Sequence, residues 1–161
     1  MHYVECYKRT DAFGKASMIA SSWFGIGLLP AGPGTFASLA GLLLVVLNSY
    51  CAPTVAALLV ICFLAFATWV SGVTQRILGS TDPPQVVIDE VAGTLVTLLW
   101  VPVSWLTLSL GFFLFRVLDI LKPFPVKRAE AVQGGKGIVL DDLLAGIYAN
   151  LFLRLVLFLA T

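Results

Sequence analysis

The chain has 161 residues, of which 59% are hydrophobic and only 12% are charged. Soluble domains average about 45 to 50% apolar and about 25% charged residues, so this composition excludes an ordinary soluble protein and indicates a membrane protein. The formal net charge is +1, from ten basic and nine acidic residues, and it gives no reason to expect a nucleic acid partner. The length suits one domain, residues 1–161.

The segment before the first long apolar stretch is polar and basic, and then rich in glycine and proline. Phe13, Ile19 and Trp23 predict the apolar side of a short interfacial helix. Residues 25–35 contain glycines and prolines that disfavour a regular helix and expose backbone N–H groups. Two interpretations remain open, a re-entrant loop that offers amides and the Thr35 hydroxyl to an anion, or an interfacial turn.

Two stretches without any Asp, Glu, Lys, Arg or His, residues 16–75 and 91–115, hold most of the predicted membrane spans. We expect about five spans, at residues 36–50, 54–78, 87–100, 105–121 and 140–161, separated by turn signals. The first is short, at roughly 22 Å against roughly 30 Å of hydrocarbon. The predicted fold is therefore an all-α, polytopic integral membrane helix bundle with a Gly/Pro-rich loop.

The basic residues set the expected orientation. If the N-terminal bases are cytoplasmic, five spans also place the loop after Arg76 and the loop with Lys122, Lys127, Arg128 and Lys136 in the cytoplasm. The opposite loops, residues 51–53 and 101–104, carry no charge. This distribution satisfies the positive-inside rule and predicts that the ionisable residues of the last three spans lie at one cytoplasmic level.

Those ionisable residues form a candidate site. Asp89 and Glu90 precede the second uncharged stretch, and Asp141 and Asp142 are expected to open the last helix. The residues Arg116, Asp119 and Lys122, spaced three apart, predict one stripe on a helix. Small residues near both acidic pairs would let helices approach closely, and these are Gly93, Thr97, Ala145, Gly146 and Ala149.

Four carboxylates at one level would repel one another unless a cation lies between them. Magnesium takes carboxylate, water and phosphate oxygens, whereas the single His2 and three scattered cysteines indicate neither zinc nor copper. Arg116 and Lys122 are available to hold phosphate. The alternative is that the aspartates only cap helices and pair with nearby bases.

The residues predict metal-assisted hydrolysis of a phosphate ester with a carboxylate as base, and an aspartyl-phosphate intermediate is the rival mechanism. A small cation transporter that uses the same carboxylates is a second interpretation, with Asn150 and Arg154 among its few polar midspan residues. Arg154 could equally extend outward to the interface. An assembly subunit without chemistry is the third, and it leaves the clustered acids without a purpose.

Four blocks of the sequence resemble the phosphatidylglycerophosphatase A family of bacterial membrane phosphatases. The blocks are Pro30 to Thr35 with Ser38-Leu39; Asp82-Pro83 and Val87 to Glu90 with Gly93; Phe115-Arg116 with Asp119 to Pro123 and Pro125; and Gly134-Gly135 with Gly137-Ile138, Asp141-Asp142 and Ala145-Gly146. The sequence departs from the family pattern at Gly32, Ala37 and Leu118, which leaves the ionisable residues intact.

The resemblance implies a magnesium-dependent phosphatase that converts phosphatidylglycerol phosphate to phosphatidylglycerol at the inner membrane of a bacterium. It implies that the acidic metal and catalytic residues are Asp89, Glu90, Asp141 and Asp142, with Thr35, Arg116, Asp119 and Lys122 around the phosphate. Another membrane phosphate ester or pyrophosphate remains an alternative substrate, because the sequence does not indicate how large a head group the site accepts.

Overall fold

The computed structural model describes residues 2–124, 126 and 134–160, and the regular secondary structure of these residues is entirely helical. The helices are α1 (His2–Arg9), α2 (Ala12–Ser21), α3 (Pro33–Ser49), α4 (Pro53–Leu78), α5 (Ile88–Thr97), α6 (Trp105–Leu121) and α7 (Gly135–Leu159), with a short 3-10 helix at Ile26–Leu28. The all-α prediction is confirmed for this part of the chain. Two bases of the predicted cytoplasmic loop, Lys127 and Arg128, and the predicted helix end at Thr161 lie outside it.

Among the described residues, two helices are long and apolar enough to cross a membrane. They are α4, with 26 residues, and α7, with 25 residues. Helices α3 and α6 have 17 residues each, and α5 has only 10. At 1.5 Å per residue α5 is about 15 Å long, roughly half of the hydrocarbon thickness. The predicted third span, residues 87–100, is thus a half-length helix followed by a turn in which Trp100 has a φ of 59°.

Helix α5 lies at the centre of the bundle, and nine of its ten residues are buried. It packs against α3, α4, α6 and α7. Its most extensive packing is against α7, where a Cβ added at Gly146 would lie 2.7 Å from the carbonyl oxygen of Gly93. Ala145 and Ala149 beside it are fully buried. The close approach that these small residues predict is confirmed, and it fixes α5 relative to α7.

Two helices begin earlier than predicted. Helix α7 begins at Gly135 and not at residue 140, so Asp141 and Asp142 lie in its second turn and do not open it. The reason is tertiary, because Gly135 packs directly on the backbone of α4 at Thr68 and Gly72. This contact stabilises a turn whose glycines disfavour helix by themselves.

Helix α3 begins at Pro33, a first-turn position that proline favours, after Gly32 with a φ of 58°. Residues 33–35 are therefore helical, and only the preceding residues form the expected irregular segment.

The N-terminal segment forms two helices where one was predicted. Helix α2 contains Phe13 and Ile19 as expected but ends at Ser21. Trp23 and Phe24 have φ values of 46° and 55°, so they lie outside the predicted interfacial helix. The Ser21 and Thr74 hydroxyls are hydrogen-bonded at 2.8 Å, which attaches α2 to α4. This contact between residues far apart in sequence is not visible in the local pattern.

The end of the bundle opposite the charged residues has its own polar network. The Asn150 side-chain amide donates hydrogen bonds to the carbonyls of Thr97 at 2.8 Å and Leu99 at 3.1 Å. The Arg154 guanidinium donates to the carbonyls of Leu99 at 2.9 Å and Trp100 at 3.0 Å. Both side chains thus satisfy carbonyls at the C-terminus of α5. Arg154 is held by these contacts, and neither snorkelling nor a conduction path is needed to explain it.

Candidate active site

A cavity of 410 Å³ lies at the charged end of the bundle. Its walls come from the first turn of α3, the loop between α4 and α5, the start of α5, the end of α6 and the first turns of α7. The residues that line it are Pro33, Thr81, Asp82, Pro83, Pro84, Val86, Asp89, Glu90, Asp119, Lys122, Gly137, Ile138, Asp141 and Asp142. The cavity therefore brings together the four predicted acidic residues and two of the four residues predicted around a phosphate.

The acidic residues are positioned by two helices that meet at a close crossing. Asp89 and Glu90 lie in the first turn of α5, where the helix N-terminus favours negative charge. The backbone N–H of Val87 donates to the carbonyl of Ser21 at 2.9 Å and holds this start against α2. Asp142 lies one turn before Gly146, which is the residue that contacts α5. Helix packing therefore brings together carboxylates that are more than 50 positions apart.

Three of the carboxylates have the spacing of a metal site. One oxygen from each of Asp89, Glu90 and Asp142 lies within 4.8 Å of the others. Asp89 and Asp142 are only 8% and 4% exposed. Asp89 Oδ1 and Glu90 Oε2 are buried without a hydrogen-bond partner among the described residues. Because an unpaired buried carboxylate is unfavourable, this trio has the donor set and the unmet charge to hold a metal ion.

Asp141, the fourth predicted metal ligand, has a different environment. Its Oδ2 accepts a hydrogen bond from Lys122 Nζ at 2.8 Å. Its Oδ1 is buried without a partner among the described residues and remains available to the cavity. Lys122 is the residue that ends α6, with a φ of 44°, so it interrupts the predicted helical stripe. The ion pair joins the end of α6 to α7 and places an ammonium group at the cavity wall.

Arg116 lies beside the cavity and does not line it. Its Nη1 donates to Asp119 Oδ2 at 2.7 Å, so Arg116 and Asp119 share one face of α6 as predicted and also form the ion pair of the alternative interpretation. A Cβ added at Gly34 would collide with Glu90 Oε1 and would lie 3.3 Å from Arg116 Nη1. Gly34 thus leaves room for Glu90 and Arg116 to approach the start of α3. Electrostatic attraction by this guanidinium offsets part of the charge of the trio.

Sequence reasoning missed some residues that line the cavity, and it included Thr35, which does not line it. The loop residues Thr81, Pro83 and Pro84 form one cavity wall, and the side-chain amide of Gln75 donates to the Thr81 carbonyl at 2.7 Å. The Asp82-Pro83 pair was the available signal for this wall. Thr35 lies in the first turn of α3, where its N–H donates to the Gly32 carbonyl at 3.0 Å, and Pro33 is the residue of that turn that lines the cavity.

Comparison with known proteins gives concordant results. The family described as Phosphatidylglycerophosphatase A matches residues 19–157. Proteins of that name from Haemophilus influenzae and Escherichia coli K12 are 39% identical over 130 residues and 34% identical over 126 residues. These alignments cover 78% and 77% of this chain, and 79% and 73% of the relatives.

A Bacteroides thetaiotaomicron protein that carries the provisional name phosphatidylinositol-3-phosphatase is 33% identical over 141 residues, which cover 82% of this chain and 87% of that protein. No solved structure matches the chain. The family match spans nearly the whole sequence and includes every residue of the acidic cavity. The chain therefore belongs to the phosphatidylglycerophosphatase A family of phosphatases.

Proposed function

We propose that this protein is a magnesium-dependent phosphatidylglycerophosphatase that removes the terminal phosphate of phosphatidylglycerol phosphate. The observation that carries the proposal is the trio Asp89, Glu90 and Asp142 beside the Lys122 ammonium, in a chain of this phosphatase family. A divalent cation with a base nearby is a suitable binding site for a phosphate monoester. The relatives named phosphatidylglycerophosphatase A support phosphatidylglycerol phosphate as the substrate.

We place the protein in the inner membrane of a bacterium, as a multi-pass bundle with the cavity facing the cytoplasm. Helices α4 and α7 are two candidate spans, and we propose that α3, α6 and α5 with the turn after it complete five crossings. The charge distribution supports the orientation, because Arg76, Lys122 and Lys136 belong to the cavity end, whereas the turns at 51–53 and 101–104 are uncharged. The phosphate would then meet the site at the membrane surface while the acyl chains stay in lipid.

The donor set fits magnesium. Asp89, Glu90 and Asp142 would hold the ion, because hard oxygen ligands with unmet charge are what it requires and their oxygens are within 4.8 Å of one another. When bound, magnesium supplies positive charge to the phosphoryl oxygens and lowers the pKa of a coordinated water. Lys122 would bind a remaining phosphate oxygen, and Arg116, which Asp119 orients through the 2.7 Å hydrogen bond, would contribute positive charge from beside the cavity.

The reaction is the attack of a water oxygen on phosphorus as the ester P–O bond breaks. We assign Asp141 as the proton acceptor, because its Oδ1 faces no described hydrogen-bond donor while Lys122 holds its Oδ2 in position. The departing glycerol oxygen takes up a proton, and inorganic phosphate is released. This assignment favours direct attack by water over an aspartyl-phosphate. Acid quenching during turnover of ³²P-labelled substrate would examine it, with Asp141→Asn as the comparison variant, because only the aspartyl-phosphate route leaves label on the protein.

The experiment is an assay of the purified protein on a panel of phospholipid phosphomonoesters, with magnesium and with a chelator. Phosphate release from phosphatidylglycerol phosphate should exceed that from phosphatidic acid and phosphatidylinositol 3-phosphate, and chelation should abolish it. Asp89→Asn and Asp142→Asn should each reduce phosphate release by about 100-fold or more. Asp82→Asn, at an exposed position of the same cavity, should reduce it less. Full activity in both trio variants would refute the proposal.

A further inference from the structure

We propose that one acyl chain of the lipid substrate binds in an apolar groove between α6 and α7 while its phosphate occupies the acidic cavity. This inference rests on the proposed function. The groove, called the acyl groove below, has a volume of 580 Å³ and is lined by Leu114, Val117 and Leu118 from α6 and by Tyr148, Leu151 and Leu155 from α7. Its volume is within the range of about 300 to 1,000 Å³ that is typical of ligand pockets.

The acyl groove is aligned with the acidic cavity. On α7, Asp141, Tyr148 and Leu155 are seven residues apart, a spacing that falls only about 20° short of two full turns. They therefore lie along one side of the helix. On α6, Leu114 and Leu118 are one turn apart, and Lys122 ends the helix one turn further on.

The ion pair of Lys122 with Asp141, at 2.8 Å, joins the two sides of the groove at its polar end. The same two residues also line the acidic cavity, so a single molecule is able to contact both the cavity and the acyl groove.

The distances along α7 match an amphiphile with its head group at Asp141. Tyr148 and Leu155 lie about 10 Å and about 21 Å from Asp141 along the helix axis. If the head group of a lipid lies at Asp141, its hydrocarbon chains lie at the level of Tyr148 and Leu155. Three residues that line the groove, Leu114, Leu118 and Tyr148, pack against a buried cluster that joins α6 to α7.

A second apolar hollow does not have this alignment. The one between α3 and α4 is lined by Leu44, Leu47 and Leu59 but also by Asn48 and Cys51. These last two residues belong to the end of the bundle opposite the acidic cavity, so a chain there would not lead to the phosphate site. Of these two apolar depressions among the described residues, the acyl groove is the one whose polar end coincides with the proposed active site.

Leu151→Trp tests the groove, and Leu43→Trp is the matched control. Both leucines are exposed, at 59% and 65%, but Leu43 is on α3 and away from the groove. Two substrates are compared, dioleoyl phosphatidylglycerol phosphate and the water-soluble glycerophosphoglycerol phosphate that lacks acyl chains. The ratio of kcat/KM for the dioleoyl substrate to that for the chainless substrate should fall about tenfold in Leu151→Trp, as if about two methylene contacts were lost.

The ratio should stay within about twofold of wild type in Leu43→Trp. An unchanged ratio in Leu151→Trp, including an equal loss on both substrates, would overturn the groove. Failure of the proposed function would show itself separately, because the unmodified protein would then release phosphate from neither substrate.

Cross-linking of the unmodified protein keeps the test independent of folding defects. The probe is phosphatidylglycerol phosphate with a photoreactive diazirine in one acyl chain, incorporated in phosphatidylethanolamine vesicles. We expect label in peptides that contain residues 114–118 and 148–155, and an excess of unlabelled substrate should displace it. Bulk lipid contacts should resist such competition because they are not saturable. Displaceable label confined to α3 and α4 would overturn the inference.

Discussion

Adding one methyl group at the crossing of α5 and α7 should damage the active site without touching any ionisable residue. In Gly146→Ala the new Cβ would lie 2.7 Å from the Gly93 carbonyl oxygen, whereas ordinary contact begins at 3.4 Å. Because this neighbour is backbone, the helices must separate by about 0.7 Å. Asp142 and Asp89 each lie one turn before the crossing, so the separation moves them apart.

The size of the effect follows from two known sensitivities. Overpacking of a close contact costs about 1 to 3 kcal/mol of stability. Misplacement of catalytic groups by about 1 Å can cost about 100-fold in rate, so a shift of about 0.7 Å predicts a loss of roughly 10- to 100-fold in kcat/KM. The magnesium concentration needed for half-maximal activity should also rise, because the three carboxylates that would hold the ion, now within 4.8 Å of one another, would move apart.

Steady-state phosphate release and magnesium titration would measure the effect on protein that retains its helical circular dichroism spectrum and its elution volume. Val55→Ile, which also adds one carbon atom, provides the control at an exposed position of α4 and should retain wild-type activity. Wild-type kcat/KM and wild-type magnesium dependence in Gly146→Ala would refute the argument that this crossing positions the carboxylates.

Three further outcomes are expected. Lys122→Gln should lower kcat/KM by about 10- to 100-fold through loss of a charged hydrogen bond to phosphate, and the exposed Lys136→Gln should have less than a threefold effect in the same assay; similar losses in both would contradict the role of Lys122. Gly34→Ala should reduce phosphate release at least about tenfold because its Cβ displaces Glu90, and unimpaired turnover would argue against that contact. Asn150→Ala should lower stability in detergent by about 1 to 3 kcal/mol, because the carbonyls that end α5 lose a donor, and an unchanged unfolding temperature would be inconsistent with this capping.

Local sequence patterns predicted the helices where periodicity and turn residues dominate. The breaks at Pro53 and Pro102 and the polar segment after Lys122 agree with the ends of α3, α5 and α6 within a few residues. The same patterns failed where tertiary contacts decide. Gly135 is a poor helix former in isolation, yet it begins α7 because only a glycine fits against Gly72. The short length of α5 was also not predictable from the local pattern, because the apolar residues continue to Trp100 although the helix ends at Thr97.

The sequence by itself predicted a membrane protein, identified the ionisable residues, and predicted that these residues gather at one end of the helices. These properties follow from composition and from the order of charges along the chain. The tertiary structure decided which carboxylates meet. Asp142 joins Asp89 and Glu90 in the trio, while its neighbour Asp141 pairs with Lys122. The physical reason is that adjacent helical residues point about 100° apart, so the crossing at Gly93 and Gly146 directs one carboxylate toward α5 and the other toward α6.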